Sequence, residues 1–337
     1  MSTGVPAKTC FYLAADKNYF PFACLAARRI LDISRDPLPG FILHTAISDA
    51  DRTAAVSLLG DRVSLLDVSH FLDGLSAHYD GRITKATYIR LFADLLPEFT
   101  PFDRIVYLDC DVLFNRDPLA LAAAEMTLPL LATHDMPSYY DLGYRSRLSL
   151  GEGAPYFNAG VLVMDLPAVR EMGLLEKARN FAEEYPERCL QHDQDALNVA
   201  FEGKWQTLHP LWNVMTNLHW MPPFATAYAR HFSGQKPWRS RPTGVEKPAF
   251  EIYRALSEPT PWRDRFDRSY NPRSVNLFLK ALERRLNAAT ARITGNQRSL
   301  RKARLDRRLP EIMKTFADHA DNNLPAAEWP EKLIGVA

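Results

Sequence analysis

Asp109 and Asp111 stand one residue apart where the run Arg104-Ile105-Val106-Tyr107-Leu108 ends. That run is apolar, β-branched and aromatic, which predicts a buried strand stopping at two carboxylates. At the carboxyl end of a strand in an open α/β sheet, such groups face the crevice where ligands bind. Two hard oxygen donors suit a divalent cation, and the cation in turn suits a phosphate-bearing ligand. The competing reading is a pair that caps a loop or meets Lys and Arg. Two residues farther along bear on the choice. His231, between apolar neighbours, would complete an O,O,N donor set for Mn²⁺ or a similar ion, or would be a core histidine. Lys236 can offer a point charge to a diphosphate.

The segments that must deliver these groups alternate in type. Cys10–Ala15, Gly40–Ile47, Val63–Val68, Leu128–Thr133 and Tyr156–Asp165 read as further strands. Between them, Phe22, Leu25, Ala26, Ile30 and Leu31 recur at helical spacing, and Asp51–Leu59 and Leu166–Glu184 read as helices. Ile83–Leu96 carries a stripe of Tyr88, Leu91, Phe92 and Leu95, so a helix is expected there, with Arg90 on it. Pro118 suits the first position of a helix after the aspartates. Such alternation predicts a doubly wound, mainly parallel α/β sheet. No Gly-x-Gly-x-x-Gly follows the first strand, so a bound nucleotide would be held by metal and side chains. Ser138–Pro155 has little periodicity and predicts a loop with a binding or lid role. Asn158 lies at a strand mouth, where a turn residue is the plainer reading. Asp193 opens a short polar-starting helix, where an N-cap is the plainer reading.

Composition removes several classes. Lys and Arg number 41 against 40 acids, a net charge of +1, so no global field selects nucleic acid. A hydrophobic fraction of 47% with 24% charged residues is that of a globular chain with a substantial core. No apolar run approaches the roughly 20 residues needed to span a bilayer. Met1–Phe22 lacks a signal-peptide core, and the four cysteines are scattered with no Cys-x-x-Cys pair, which fits a reducing cytoplasm. Residues 268–308 are rich in Lys and Arg, with Leu277, Phe278, Leu282, Leu286 and Ile293 at helical spacing. That pattern suits peripheral association with an anionic membrane, and equally a solvated helix packed on the main domain or another subunit.

Taken together, Tyr107-Leu108-Asp109-Cys110-Asp111, Phe157-Asn158-Ala159-Gly160-Val161, Asp193-Gln194-Asp195-Ala196-Leu197-Asn198 and His231-Phe232-Ser233-Gly234 with Lys236-Pro237-Trp238 resemble glycosyltransferase family 8. That family holds glycogenin and bacterial lipopolysaccharide galactosyl- and glucosyltransferases. Ala14–Tyr19 and Ala86–Leu91 match its opening segments, and the likeness runs from about residue 9 to 240. The resemblance implies a GT-A fold, a single Rossmann-like nucleotide-sugar domain over residues 8–262, followed by a basic helical extension over 263–337. It implies a UDP-sugar donor, a saccharide or glycolipid acceptor, retention of anomeric configuration, and Mn²⁺ or Mg²⁺ as cofactor. By position, Asp109, Asp111 and His231 would hold the metal. Ala14, Asp16 and Asn18 would line the uridine pocket, with Cys110 toward the ribose. Arg90, Asp135, Asn158, Ala159, Asp193 and Gln194 would surround the donor sugar, with Asp135, Asp193 and Gln194 nearest the chemistry. Gly234 and Lys236 would meet the diphosphate. The family spaces this last segment His-x-x-Gly-x-x-Lys-Pro-Trp, whereas here only Gln235 separates Gly234 from Lys236, which shortens the reach expected of Lys236.

Two rivals share parts of the pattern. A phosphohydrolase of the haloacid dehalogenase type also places Asp-x-Asp at a strand end, its first Asp a nucleophile, but needs later paired acids after a Gly. No convincing set follows here. A non-catalytic UDP-sugar binder would keep the fold, yet intact Asp109, Asp111 and His231 argue against a dead site.

Overall fold

Seven strands form one sheet in the order β3-β2-β1-β4-β7-β6-β8: β1 Thr9–Ala15, β2 Gly40–His44, β3 Val63–Asp67, β4 Arg104–Leu108, β6 Leu130–His134, β7 Phe157–Asp165 and β8 Trp205–Thr207. The structure is a computed structural model that describes residues 8–73, 75–77, 84–135, 141, 143–215, 227–234, 236–238, 247–266, 286–287, 289–291, 293–296 and 300. Every pairing in the sheet is parallel except those of β7, which runs antiparallel to β4 and β6. A mainly parallel sheet is therefore present, as the alternation of segments predicts. A second, three-stranded sheet joins β5 (Val112–Phe114), β10 (Ala229–His231) and β9 (Val214–Met215).

Strand β1 shows why the large sheet is buried on both sides. Phe11, Leu13 and Ala15 join Val106 and Leu108 in one apolar cluster, which also takes in α1 (Phe20–Ile33), α2 (Asp49–Leu59) and α8 (Lys247–Ser257). Cys10 and Tyr12 point the other way and join Ile105, Tyr107, Leu162 and Met164. That second cluster takes in the segment Lys85–Leu95, α5 (Leu166–Glu171), α6 (Leu174–Glu184) and α7 (Asp193–Ala200). Strict alternation of side chains, period two, produces this division. Ser48 caps α2 by accepting from the Asp51 amide, and the Asp16 carboxylate accepts from the amides of Asn18 and Tyr19 just before α1.

Several local expectations are corrected. Lys85–Leu95 winds as 3-10 turns rather than an α-helix, although its apolar residues are buried as the stripe required. The span Leu166–Glu184 is two helices, because Gly173 adopts a left-handed φ of 58° between α5 and α6. The strand expected through Ile47 stops at His44. Pro118 precedes a four-residue helix, α3 (Leu119–Ala122), as its N-cap rather than its first residue. Part of the expected 138–155 loop is a short helix, α4 (Tyr144–Leu148). The basic stretch 268–308 and the tail from Asn322 lie almost wholly outside the described residues.

Two histidines, His44 buried and His134 partly buried, make the fold acid-sensitive. Burial pushes the His134 imidazole down from 6.5 to about 4, and burial likewise lowers His44 despite the opposing pull of Asp67. Both are neutral above 6.5 in either state. As the pH falls below that, the unfolded chain takes protons that the folded chain refuses, and stability is lost until the folded pKa is reached. Unfolding free energy should therefore fall by on the order of 2 kcal/mol from His134 between pH 6.5 and 4, after allowance for partial exposure. Denaturant titrations across this range check it. The slope should be shallower in His134→Asn, which preserves a hydrogen-bonding partner for the Thr207 hydroxyl.

Candidate active site

The chain leaves β1 and β4, side by side in the sheet, on opposite sides of a crevice. Such a switch in strand order is where open α/β sheets bind ligands. A cleft of about 620 Å³ opens there, lined from the end of β1 (Ala14, Ala15, Asp16), the turn after β4 (Asp109–Asp111), and the start of α7. Its size is that of a small-molecule site.

The aspartates sit where the two sheets meet. The Asp109 amide donates to the Gly160 carbonyl of β7 at 2.9 Å, and the Phe232 amide after β10 donates to the Asp111 carbonyl at 2.9 Å. The antiparallel pairing of His231 with Val112 then brings the imidazole to both carboxylates. His231 Nε2 lies 3.5 Å from Asp109 Oδ2 and 3.3 Å from Asp111 Oδ1. The ligand atoms of the three residues all lie within 4.8 Å of one another, close enough to share one ion. Two carboxylate oxygens and one imidazole nitrogen are a donor set that suits a divalent cation. The Lys236 ammonium contacts Asp111 directly, so the shortened spacing after Gly234 does not keep Lys236 from the cluster. Burial opposes the Asp111 charge, yet Lys236 and His231 hold its carboxyl well below the usual carboxylate range.

Arg90 is the hub of the opposite wall. Far from being a surface residue, it is 7% exposed and pairs with Asp109 Oδ1 at 2.9 Å and Asp193 Oδ2 at 2.8 Å. It also donates to the Ala159 carbonyl at 2.7 Å and lies 4.3 Å from the centre of the Tyr107 ring. Burial works against its charge, but Asp109 and Asp193 more than offset that and hold its pKa above its ordinary value. Burial raises the Asp193 carboxyl, with Arg90 and the Thr87 hydroxyl, 2.5 Å away, pulling it back down. Asp193 is therefore an ion-pair partner in the first turn of α7, not its N-cap. The N-cap is His192, whose φ of 54° lies in the left-handed region that few side chains adopt and helps aim Asp193 and Gln194 at the cleft.

Gln194 uses all of its amide. Its Oε1 accepts from the Ala159 amide and from Asn158 Nδ2 at 3.0 Å each, and its Nε2 donates to Asp135 Oδ2 at 3.0 Å and the Tyr156 hydroxyl at 3.3 Å. Asn158 belongs to β7, opposite Thr133 where the register with β6 shifts, and is not a turn residue. Cys110 donates its thiol to the Ala14 carbonyl at 3.0 Å, and burial with the flanking aspartates pushes its pKa far up, so it stays a thiol. Asp16 lines the cleft and accepts from the Thr84 hydroxyl at 2.9 Å. Asn18 and Gly234 are not among the lining residues, although their neighbours Asp16, Tyr19, Ser233 and Lys236 are.

Four contributors escaped the sequence reading. Tyr107 donates to Asp109 at 2.6 Å, and Thr87 donates to Asp193. Asp195 is fully buried, accepts from Tyr156, Gln191 and Arg147, and anchors the start of α7. Asn213 bridges His231 and Asn158. Tyr107 and Asp195 stood in quoted motifs and Thr87 in the matched segment Ala86–Leu91, none of them with a role of its own, whereas Asn213 stood in none.

Gly160 makes the histidine's position possible. A Cβ at 160 would lie 2.4 Å from His231 Cε1 and 2.5 Å from Nδ1, against a ring held by hydrogen bonding. Gly160→Ala should weaken divalent-ion affinity by about 10- to 100-fold, the usual effect of disturbing a ligand's support. Its cost in unfolding free energy should be only about 1–3 kcal/mol, that of overpacking. Calorimetric titration with Mn²⁺ alongside thermal unfolding checks the pair of values.

Comparison with known proteins gives the family and the fold. The model for glycosyl transferase family 8 matches residues 10–241, more than half of the chain. General stress protein A of Bacillus subtilis is 33% identical over 139 residues, covering 40% of this chain and 47% of that protein. Lipopolysaccharide 1,2-glucosyltransferase of Escherichia coli is 27% identical over 214 residues, 58% of this chain and 60% of that one. The match spans about half the length of General stress protein A and about a quarter of two streptococcal relatives. Among solved structures, the galactosyltransferase LgtC in complex with donor and acceptor sugar analogues superposes with a TM-score of 0.66 at 23% identity, covering 76% of this chain and 99% of that one. GlyE of Streptococcus pneumoniae superposes with a TM-score of 0.54 at 19% identity, covering 78% and 63%. These likenesses place the fold with GT-A-type glycosyltransferases. Beyond the matched span, α8 and Trp262 pack into the same core, with the Trp262 indole donating to Asp51 at 2.8 Å. On the extent of the family match, this chain belongs to glycosyl transferase family 8.

Proposed function

We propose that the chain is a Mn²⁺-dependent retaining hexosyltransferase that moves glucose or galactose from a UDP-sugar to a saccharide or lipid-linked saccharide acceptor. The observation that carries the reading is the Asp109, Asp111 and His231 cluster at one side of a cleft whose other side is Gln194, Asp135 and Asn158. A divalent ion held by that cluster would act as a Lewis acid and template on the diphosphate. Lys236 supplies fixed positive charge toward the departing diphosphate, and Arg90 stiffens the carboxylates around it. Ala14, Asp16 and the Cys110 backbone line the nucleoside end. Asp135 and Asp193 orient sugar hydroxyls.

Retention needs either a carboxylate nucleophile or attack from the face the leaving group vacates. Gln194 is a neutral amide whose donors and acceptors are all engaged, which supports same-face attack. In that step the acceptor hydroxyl bonds to the anomeric carbon as the bond to the diphosphate oxygen breaks, and the departing oxygen takes the hydroxyl proton. No helix of the described residues is long and apolar enough to cross a membrane. The basic pattern of 268–308 supports peripheral binding at a cytoplasmic membrane face. Liposomes containing anionic lipid should co-sediment the full chain and not one truncated before 268, and equal sedimentation would exclude that role.

The test of the reaction is a panel of UDP-sugars assayed for hydrolysis with Mn²⁺ and with EDTA. One UDP-hexose should be turned over with Mn²⁺ and spared with EDTA. Turnover indifferent to EDTA, or of no UDP-sugar, would overturn the reading.

A further inference from the structure

A line of side-chain hydrogen bonds runs from His231 into the sugar side of the cleft, and Asn213 is its middle. Asn213 is fully buried, just before β9. Its Oδ1 lies 2.9 Å from His231 Nδ1, and its Nδ2 donates to Asn158 Oδ1 at 2.8 Å. Asn158 Nδ2 in turn donates to Gln194 Oε1 at 3.0 Å and Asp135 Oδ2 at 3.2 Å.

The direction of each bond follows from what the end groups can do. An ionised Asp135 only accepts, so Asn158 must present its nitrogen there. The Gly160 amide only donates, and it reaches Asn158 Oδ1 at 3.0 Å, which fixes that atom as oxygen. Asn158 Oδ1 therefore accepts from Asn213 Nδ2, and Asn213 Oδ1 is left facing His231. An oxygen there accepts, so the proton of a neutral His231 sits on Nδ1 and the lone pair on Nε2, the atom turned to Asp109 and Asp111. Without that acceptor, the two carboxylates would draw the proton onto Nε2 and leave no lone pair for a cation.

We propose that Asn213 is a positioning residue that fixes His231 as the Nδ1–H tautomer and couples the cation ligands to the Asn158–Gln194–Asp135 network. The proposal rests on the metal reading above. It extends that reading by making cation binding and sugar-side geometry share one buried amide. Asp at 213 keeps an acceptor for His231 but sets oxygen against Asn158 Oδ1. Leu fills similar space and keeps neither bond.

The test uses the full chain and three readouts. Calorimetric titration with Mn²⁺ should give wild-type affinity or tighter for Asn213→Asp, and affinity weaker by about 10- to 100-fold for Asn213→Leu. Turnover of the UDP-sugar at saturating Mn²⁺ should fall at least about tenfold in Asn213→Asp, because its sugar-side bond is lost. The ¹⁵N NMR spectrum of the Mg²⁺-loaded wild type, with His231 assigned by its loss in His231→Gln, should show a protonated Nδ1. That measurement needs no variant at 213 to fold. Asn213→Leu binding Mn²⁺ as wild type does, both variants losing affinity equally, or a protonated Nε2 would each overturn the proposal. A wild-type chain that binds no Mn²⁺ would instead overturn the metal reading beneath it.

Discussion

Asp111→Asn is expected to lower UDP-sugar turnover by at least about 10³-fold while the protein stays folded. An amide retains one oxygen but not the charge, and a bound divalent ion contributes several kcal/mol of charge stabilisation at the transition state. The same substitution removes the carboxylate that Lys236 and His231 share, so Lys236 loses its fixed place beside the cluster. Added Mn²⁺ at millimolar concentration should recover little. Circular dichroism and thermal unfolding serve as the control for folding. Activity within about tenfold of wild type would remove Asp111 from the ligand set, since a ligand loss cannot be that mild.

Arg90→Met should be the most destabilising single change in the cleft, by about 3–5 kcal/mol. Methionine replaces much of the volume, so the loss is chiefly electrostatic. Asp193, with a side chain 4% exposed, would then keep the Thr87 hydroxyl as its hydrogen-bond donor but no adjacent cation, and Asp109 would lose its guanidinium partner while keeping Tyr107 and His231. Arg90→Lys should recover only part of the loss. A single ammonium cannot reach Asp109, Asp193 and the Ala159 carbonyl together as the planar guanidinium does. Denaturant unfolding at neutral pH measures both. The Asp193→Asn, Arg90→Met double variant should be less destabilised than Arg90→Met alone, because the buried uncompensated charge is gone. Additive losses would show that Arg90 acts through packing rather than through its ion pairs.

Parts of this site were legible in the chain before any coordinates. Buried strands such as Arg104–Leu108 declare themselves through β-branched and aromatic runs, and Asp109-x-Asp111 at the end of one has few chemical uses. His231, Lys236, Asn158 and Gln194 could be found because their neighbours form recognisable short motifs. Burial of Arg90 could not, because its partners come from the far side of the fold; the adjacent Thr87 meets Asp193 across 106 residues of chain. Asn213 was invisible for the same reason. A polar residue beside Val214 and Met215 carries no local sign that it lies 2.9 Å from a histidine. The 3-10 winding of Lys85–Leu95 shares its apolar spacing with an α-helix, and tertiary packing decides between them. Gly173, by contrast, is a local sign of the break between α5 and α6 that the single-helix reading of Leu166–Glu184 did not use.

Calorimetric titration of UDP into the full chain, with Mn²⁺ and with EDTA, bears most directly on the account. The proposed reading, with Lys236 beside Asp109, Asp111 and His231, predicts that Mn²⁺ tightens UDP binding by at least about tenfold, within the usual range of coupling between two ligands. The tightening should vanish in His231→Ala. Equal UDP affinity with Mn²⁺ and with EDTA, or a coupling that survives His231→Ala, would contradict it.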